Sequence, residues 1–167
     1  MTEYTDKERI QIARREYSIY SVGAPVQIGK GKDRKIIGYV AQVNNKLDGG
    51  ETSYVVTDLN PKAPHFDASK VKRATVLYQG SHDAEDWVVN DLPDGAGIAL
   101  SGRPTQVNAV AASPQLKTAA STLKGALKSY PHAQFEVYGH SLGSMDGQYA
   151  LASMDKQDVR RIDGAYL

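Results

Sequence analysis

The sequence predicts an α/β protein, with a mainly parallel sheet flanked by helices, a β-hairpin in its N-terminal half, and residues 1–167 in a single domain. Three observations carry that expectation. Beyond residue 70 the segments alternate as strand, helix, strand, tight turn, helix, strand, which is the order of a parallel sheet with helical crossovers. Earlier, the β-branched and aromatic runs 36–43 and 52–57 are separated by Asn44-Asn45-Lys46-Leu47-Asp48-Gly49-Gly50, a stretch dense in turn formers, as in a hairpin. The length suits one core, at roughly 100 to 200 residues per domain.

Taken in order, residues 6–20 repeat Ile10, Ala13, Tyr17 and Tyr20 at three- and four-residue spacing behind Thr5, with Glu8 three positions after it. This predicts an amphipathic helix opened by a capping box. Gly23 and Pro25 end it. The following stretch, 26–35, contains Gly29-Lys30-Gly31-Lys32 and invites a phosphate-loop reading. That reading fails, because Gly23 stands one residue too far from Gly29-Lys30, and Gly31 replaces the Ser or Thr that would hold magnesium. A solvated basic loop is expected instead. After the hairpin, 60–69 with Pro61 and Pro64 reads as a loop, and 74–79 (ATVLYQ) as a short buried strand closed by Gly80-Ser81. Residues 84–90 suggest a short helix, and 92–102 is too glycine-rich to assign. Over 105–129 the apolar residues Val107, Val110, Ala111, Leu116, Ala119, Ala120, Leu123 and Leu127 share one helical face, with Pro114 starting or kinking the helix. Tyr130-Pro131-His132 breaks it; 134–138 (QFEVY) alternates as a strand, 142–154 reads as a helix and 159–167 as another strand.

Composition narrows the function classes. Twenty basic and 19 acidic side chains leave a net charge of +1, so no global field favours nucleic acid or an anionic membrane. There is no cysteine, which removes disulfides, thiolate catalysis and cysteine-based zinc sites. Hydrophobic residues make up 41 % and the mean hydropathy is −0.45, as in an ordinary folded protein. The N-terminal twenty residues are charged throughout and lack a signal-peptide core, and no run approaches about 18 apolar residues. The expectation is a soluble cytoplasmic protein without a transmembrane segment and without a nucleic-acid partner.

The sequence feature richest in chemistry is Gly139-His140-Ser141-Leu142-Gly143. Lying between a strand-like and a helix-like segment, it matches a nucleophile elbow, where a serine occupies a sharp strand-to-helix turn flanked by glycines. Ser141 is then the nucleophile of an acyl transfer. The helix starting beside it aims unpaired N–H groups and a positive dipole end at the reacting carbonyl. The backbone N–H of Leu142 is the expected first oxyanion donor, and that of Ser81, just beyond the strand ending at Gly80, the expected second. The plainer reading is a glycine-bearing turn in which Ser141 merely caps the helix.

Together, YPHAQFEVYGHSLGSMDGQYALAS (130–153) and VLYQGSHDAEDWVVNDL (76–92) resemble the class 3, or fungal-type, lipase branch of the α/β-hydrolase superfamily. Four ordered elements carry the resemblance: an apolar strand ending in Gly-Ser, an Asp-Trp pair, Tyr-Pro before a strand, and Gly-His-Ser-Leu-Gly. The resemblance covers roughly 74–167 and implies a partial α/β-hydrolase-like fold, here an N-terminal portion of it. It implies Ser141 as nucleophile, Leu142 and Ser81 at the oxyanion hole, Asp86-Trp87 as a structural pair, and a small-molecule or lipid ester as substrate, with no cofactor. This chain departs from the family in having Ser144-Met145-Asp146 after the elbow, where a second glycine and small or apolar residues are usual, and Tyr78-Gln79 where an arginine-containing sequence is more common. The resemblance implies that the family's triad acid and histidine are to be expected after Leu167.

A serine hydroxyl needs a base to become a competent nucleophile, and no histidine follows Ser141. Of the four histidines, His140 is expected to pack away from the attack side, His82 follows the oxyanion candidate, His65 sits in a Pro-flanked loop, and His132 suits the C-terminal dipole of a helix. Asp146, Asp155, Asp158 and Asp163 are accounted for by helix termini and solvation. His65, Asp67, His82, Asp83, Glu85 and Asp86 form no metal-ligand pattern. Two readings follow: a lipase-like serine hydrolase represented by its nucleophile-bearing portion, or a catalytically silent hydrolase-like binding or assembly module. An exposed sheet edge near residue 159 is expected to favour a homo-oligomer.

Overall fold

The computed structural model describes residues 4–45, 52–80 and 114–167. Among the described residues six strands form one sheet in sequence order: β1 (Pro25–Ile28), β2 (Lys35–Asn45), β3 (Thr52–Thr57), β4 (Arg73–Tyr78), β5 (Gln134–Gly139) and β6 (Ile162–Tyr166). The α-helices among the described residues are α1 (Asp6–Arg14), α2 (Pro114–Ser129), α3 (Leu142–Ala152) and the short α4 (Lys156–Val159).

The sheet has two halves. β1 through β4 pair antiparallel, whereas β4, β5 and β6 run parallel. Parallel neighbours need a crossover of a dozen or more residues. Only the chain after β4 supplies helices of that kind, with α2 leading into β5 and α3 joining β5 to β6. The expectation of a mainly parallel sheet is therefore corrected: the sheet is mixed, and its parallel part is confined to the last three strands. β1 also emerges from a stretch read as a basic loop, because Val26 and Ile28 are both buried and the strand pairs with β2. The expected hairpin is present as β2 and β3, with Val40 opposite Val56 and Val43 opposite Tyr54; Asn44 and Asn45, read as part of its turn, extend β2, and 46–51 lie outside the described residues, as do 84–90, 92–102 and 105–113.

Period-two alternation gives the sheet two apolar faces. Val55, Val76 and Val137 align across β3, β4 and β5 and point into a core with Ala119, Leu123, Ala126 and Leu127 of α2 and Ala150 of α3. On the other face Tyr54, Leu77 and Tyr138 align and pack with Ile12 of α1, Val26, Ile28 and Val40. Each fully buried Val or Leu contributes about 1.5 to 3 kcal/mol. The helices thus cover both faces of the sheet.

The capping box of α1 is complete: Glu8 N–H donates to Thr5 Oγ1, and Thr5 N–H donates to the Glu8 carboxylate at 2.9 Å. The helix ends earlier than its apolar spacing suggests, passing at Arg15–Tyr17 into a 3-10 turn. The buried face also differs. Ile10 is 56 % exposed, while Ile12 and Glu16 are buried. Among the described residues no helix is long and apolar enough to cross a membrane.

Candidate active site

β5 ends at Gly139, and α3 begins at Leu142, so His140 and Ser141 form the turn between them. Ser141 adopts φ 55°, ψ −121°, a sparsely populated conformation for a residue with a Cβ, costing about 1 to 3 kcal/mol. The flanking glycines explain how the turn closes. A Cβ on Gly139 would collide with the carbonyl oxygen of Gly143, and one on Gly143 would collide with the carbonyl oxygen of Tyr78 at the end of β4. Backbone meets backbone at both positions, so neither can carry a side chain.

Ser141 occupies the N-cap position of α3, yet its side chain makes no capping hydrogen bond, and the residue is exposed. The simple capping reading is thereby set aside. The first turn uses Gly143 N–H on His140 O and Ser144 N–H on Ser141 O, each at 3.0 Å. Leu142 N–H has no acceptor among the described residues, the condition expected of a donor kept for a developing oxyanion.

The end of β4 lies against the elbow. A Cβ built on Gly80 would stand 3.5 Å from Ser141 Cβ, and 2.7 Å from both His140 O and Tyr17 Oη. Gly80 therefore borders the turn, while Ser81, His82, Asp86 and Trp87 lie outside the described residues. Beneath this junction the 3-10 turn after α1 inserts two side chains. Tyr17 Oη and His140 Nδ1 share a hydrogen bond of 3.2 Å. Glu16 is fully buried, with its carboxyl facing Tyr17 and the backbone amides of Gly80 and His140 but reaching good hydrogen-bond geometry with none among the described residues. Desolvation dominates over these partial contacts and pushes its pKa up to about 8. Sequence reasoning missed Glu16 altogether. Its only signal was its place four residues after Ile12, on the same helical face.

The remaining titratable candidates are dispersed. His140 is half-buried and turned to Tyr17; His65 and His132 are exposed. No described histidine hydrogen-bonds to Ser141. Asp155 does cap α4, accepting from Gln157 and Asp158 N–H at 2.9 and 2.8 Å. Asp146 corrects the expectation of solvation: it is fully buried on α3, takes a 2.8 Å hydrogen bond from Gln115 Nε2, and has its pKa raised by burial. Its Oδ1 has no partner among the described residues. A charge one turn into α3 and packed against α2 has to be neutral or paired, which a sequence pattern does not reveal.

Elbow geometry and a half-parallel sheet define the class at the level of architecture, an α/β protein with a strand-to-helix serine turn. Comparison of the chain with family models, with curated proteins and with solved structures gives no match. The resemblance to lipases therefore rests on the sequence motifs.

Proposed function

We propose that this chain carries the nucleophile and oxyanion-binding turn of a lipase-like serine hydrolase that cleaves carboxylic esters, small or lipidic. The observation that supports the reading is the strained backbone of Ser141, held between Gly139 and Gly143 with its hydroxyl exposed and uncommitted. In the first step Ser141 Oγ adds to the ester carbonyl and passes its proton to a base, the oxyanion collects at Leu142 N–H, and the alcohol departs with a proton. Water then adds to the acyl-enzyme and releases the acid. Neutral serine is a poor nucleophile without that base. Strain at the nucleophile is a device for exposing it.

A fluorophosphonate probe tests the reading directly. Covalent labelling at Ser141, located by peptide mass spectrometry and abolished in Ser141→Ala, is expected. A native protein left unlabelled at Ser141 would sink the hydrolase reading.

One observation favours the second reading, a catalytically silent hydrolase-like module: no described histidine hydrogen-bonds to the Ser141 hydroxyl, and His140 is engaged by Tyr17. It predicts p-nitrophenyl acetate turnover identical in wild type and Ser141→Ala. The proposal extends to self-association along β6, whose outer edge faces no described strand.

A further inference from the structure

A cleft of about 550 Å³ lies between α1 and the turn joining β1 to β2, lined by Lys7, Arg14 and Arg15 on the helix side and by Lys30 on the turn side. It contains none of the elbow residues. Its wall is fixed rather than incidental. Gly29 holds φ 75°, a Cβ there would collide with Asp33 O, and Gly29 N–H donates to Gln11 Oε1 at 2.9 Å, tying the turn to α1. That amide is committed to Gln11 and is not free for a phosphate; what the stretch brings to the lining is the charge of Lys30.

Charge in the cleft is unbalanced. Of the two acids on its lining, Glu8 is held at 2.7 Å by Lys35, leaving Asp33 against four cations. Lys7, Arg14, Arg15 and Lys30 have no carboxylate within ion-pair distance among the described residues. Arg15 Nε is buried and has no acceptor among the described residues either, and a buried guanidinium donor left without an acceptor is destabilising until a ligand supplies one. Cations gathered from two separate elements, two of them planar guanidinium forks, match a multi-oxygen dianion better than a single carboxylate. The volume lies within the roughly 300 to 1,000 Å³ typical of small-molecule pockets and exceeds what one inorganic phosphate fills.

We infer that this cleft binds a phosphate-bearing small ligand, its phosphate between Arg14, Arg15 and Lys30. The ligand source is either a soluble phosphomonoester or a phospholipid ending in a phosphomonoester, as phosphatidic acid does, and both present the same dianionic group. The site is independent of ester cleavage at Ser141, so binding is read without any turnover.

The experiment titrates the whole chain at low salt with pyrophosphate by calorimetry, and in parallel sediments it with phosphatidylcholine vesicles with and without phosphatidic acid. An Arg14→Gln/Arg15→Gln double variant is expected to weaken whichever interaction is found by at least about tenfold, the order of one lost charge-assisted contact. Lys124→Gln/Lys128→Gln, which removes the same charge from exposed positions on α2, is expected to bind as wild type. Binding to pyrophosphate identifies the soluble source, and binding only to phosphatidic acid vesicles the lipid source. Absence of both, equal loss in the two double variants, or unchanged binding in the arginine variant with its circular dichroism intact overturns the inference.

Discussion

At the scale of single residues, the turn around Ser141 is a contest between local strain and close packing. Ser141 pays for its φ 55° because Gly139 and Gly143 let α3 settle against the end of β4. Gly143→Ala forces a Cβ into Tyr78 O and is expected to cost more than about 3 kcal/mol in urea unfolding, beyond ordinary overpacking. Gly125→Ala in α2 has open space, and should instead stabilise by about 0.5 to 1 kcal/mol; equal effects of the two substitutions would refute this account of the turn. Glu16 gives a pH signature. Its folded pKa of about 8 lies above the 4.5 of the free side chain, so the unfolded chain releases this proton first as pH rises. Stability from this group is full below about pH 4.5 and declines until about pH 8, by an amount on the order of several kcal/mol. Glu16→Gln should therefore gain on wild type in unfolding experiments at pH 8.5 relative to pH 4.5, and a pH-independent difference would show that the carboxyl is not titrating in place. The serine and its two glycines were legible in sequence because their spacing is a motif. Glu16 and Asp146 were not, since a buried acid looks like any surface acid until its neighbours are placed.

Among elements, the connection from α2 to β5 is held from a distance. Arg161, between α4 and β6, donates to Leu127 O at 2.9 Å, to Tyr130 O, and to Ala133 O at 3.1 Å, satisfying carbonyls left open at a helix C-terminus. It thereby ties the start of β6 to the entry of β5, the strand that ends in the elbow. Arg161→Met keeps much of the apolar stem and removes these bonds, so it is expected to destabilise by about 2 to 3 kcal/mol, with amide exchange accelerating first over 126–135. Uniform acceleration across the sheet would contradict a local tether. No periodicity announces such a role, because the partners are main-chain carbonyls more than twenty-five residues earlier. By contrast the capping box at Thr5 and Glu8, the hairpin strands and the face of α2 were readable, each being a local pattern that tertiary packing leaves intact. The end of α1 was not, because Tyr17 leaves the helix to meet His140, a contact 123 residues distant.

For the molecule as a whole, the division of the sheet into an antiparallel half and a parallel half follows from where helical crossovers occur, and pattern alone placed the parallel strands and the β2–β3 hairpin but not the antiparallel pairing of β1 with β2 or of β3 with β4. Strand propensity says which segments extend, whereas direction depends on whether the connection crosses back over a face of the sheet, as the helix-bearing connections into β5 and β6 do and the one from β3 to β4 does not. The consequence lies at the far edge. β6 pairs with β5 on one side and borders no described strand on the other, and Val159 and Leu167 beside it are 50 % and 40 % exposed. A strand edge with apolar neighbours is a template for pairing with a second copy. Light scattering over a concentration series is expected to show a dimer that dissociates on dilution. Ala165 is exposed on β6, and Ala165→Lys places a charge where edge strands of monomeric proteins carry one, so this variant should stay monomeric with an unchanged thermal midpoint. Wild type that is monomeric at the highest concentration, or a variant that associates as readily, would mean that β6 is not the interface.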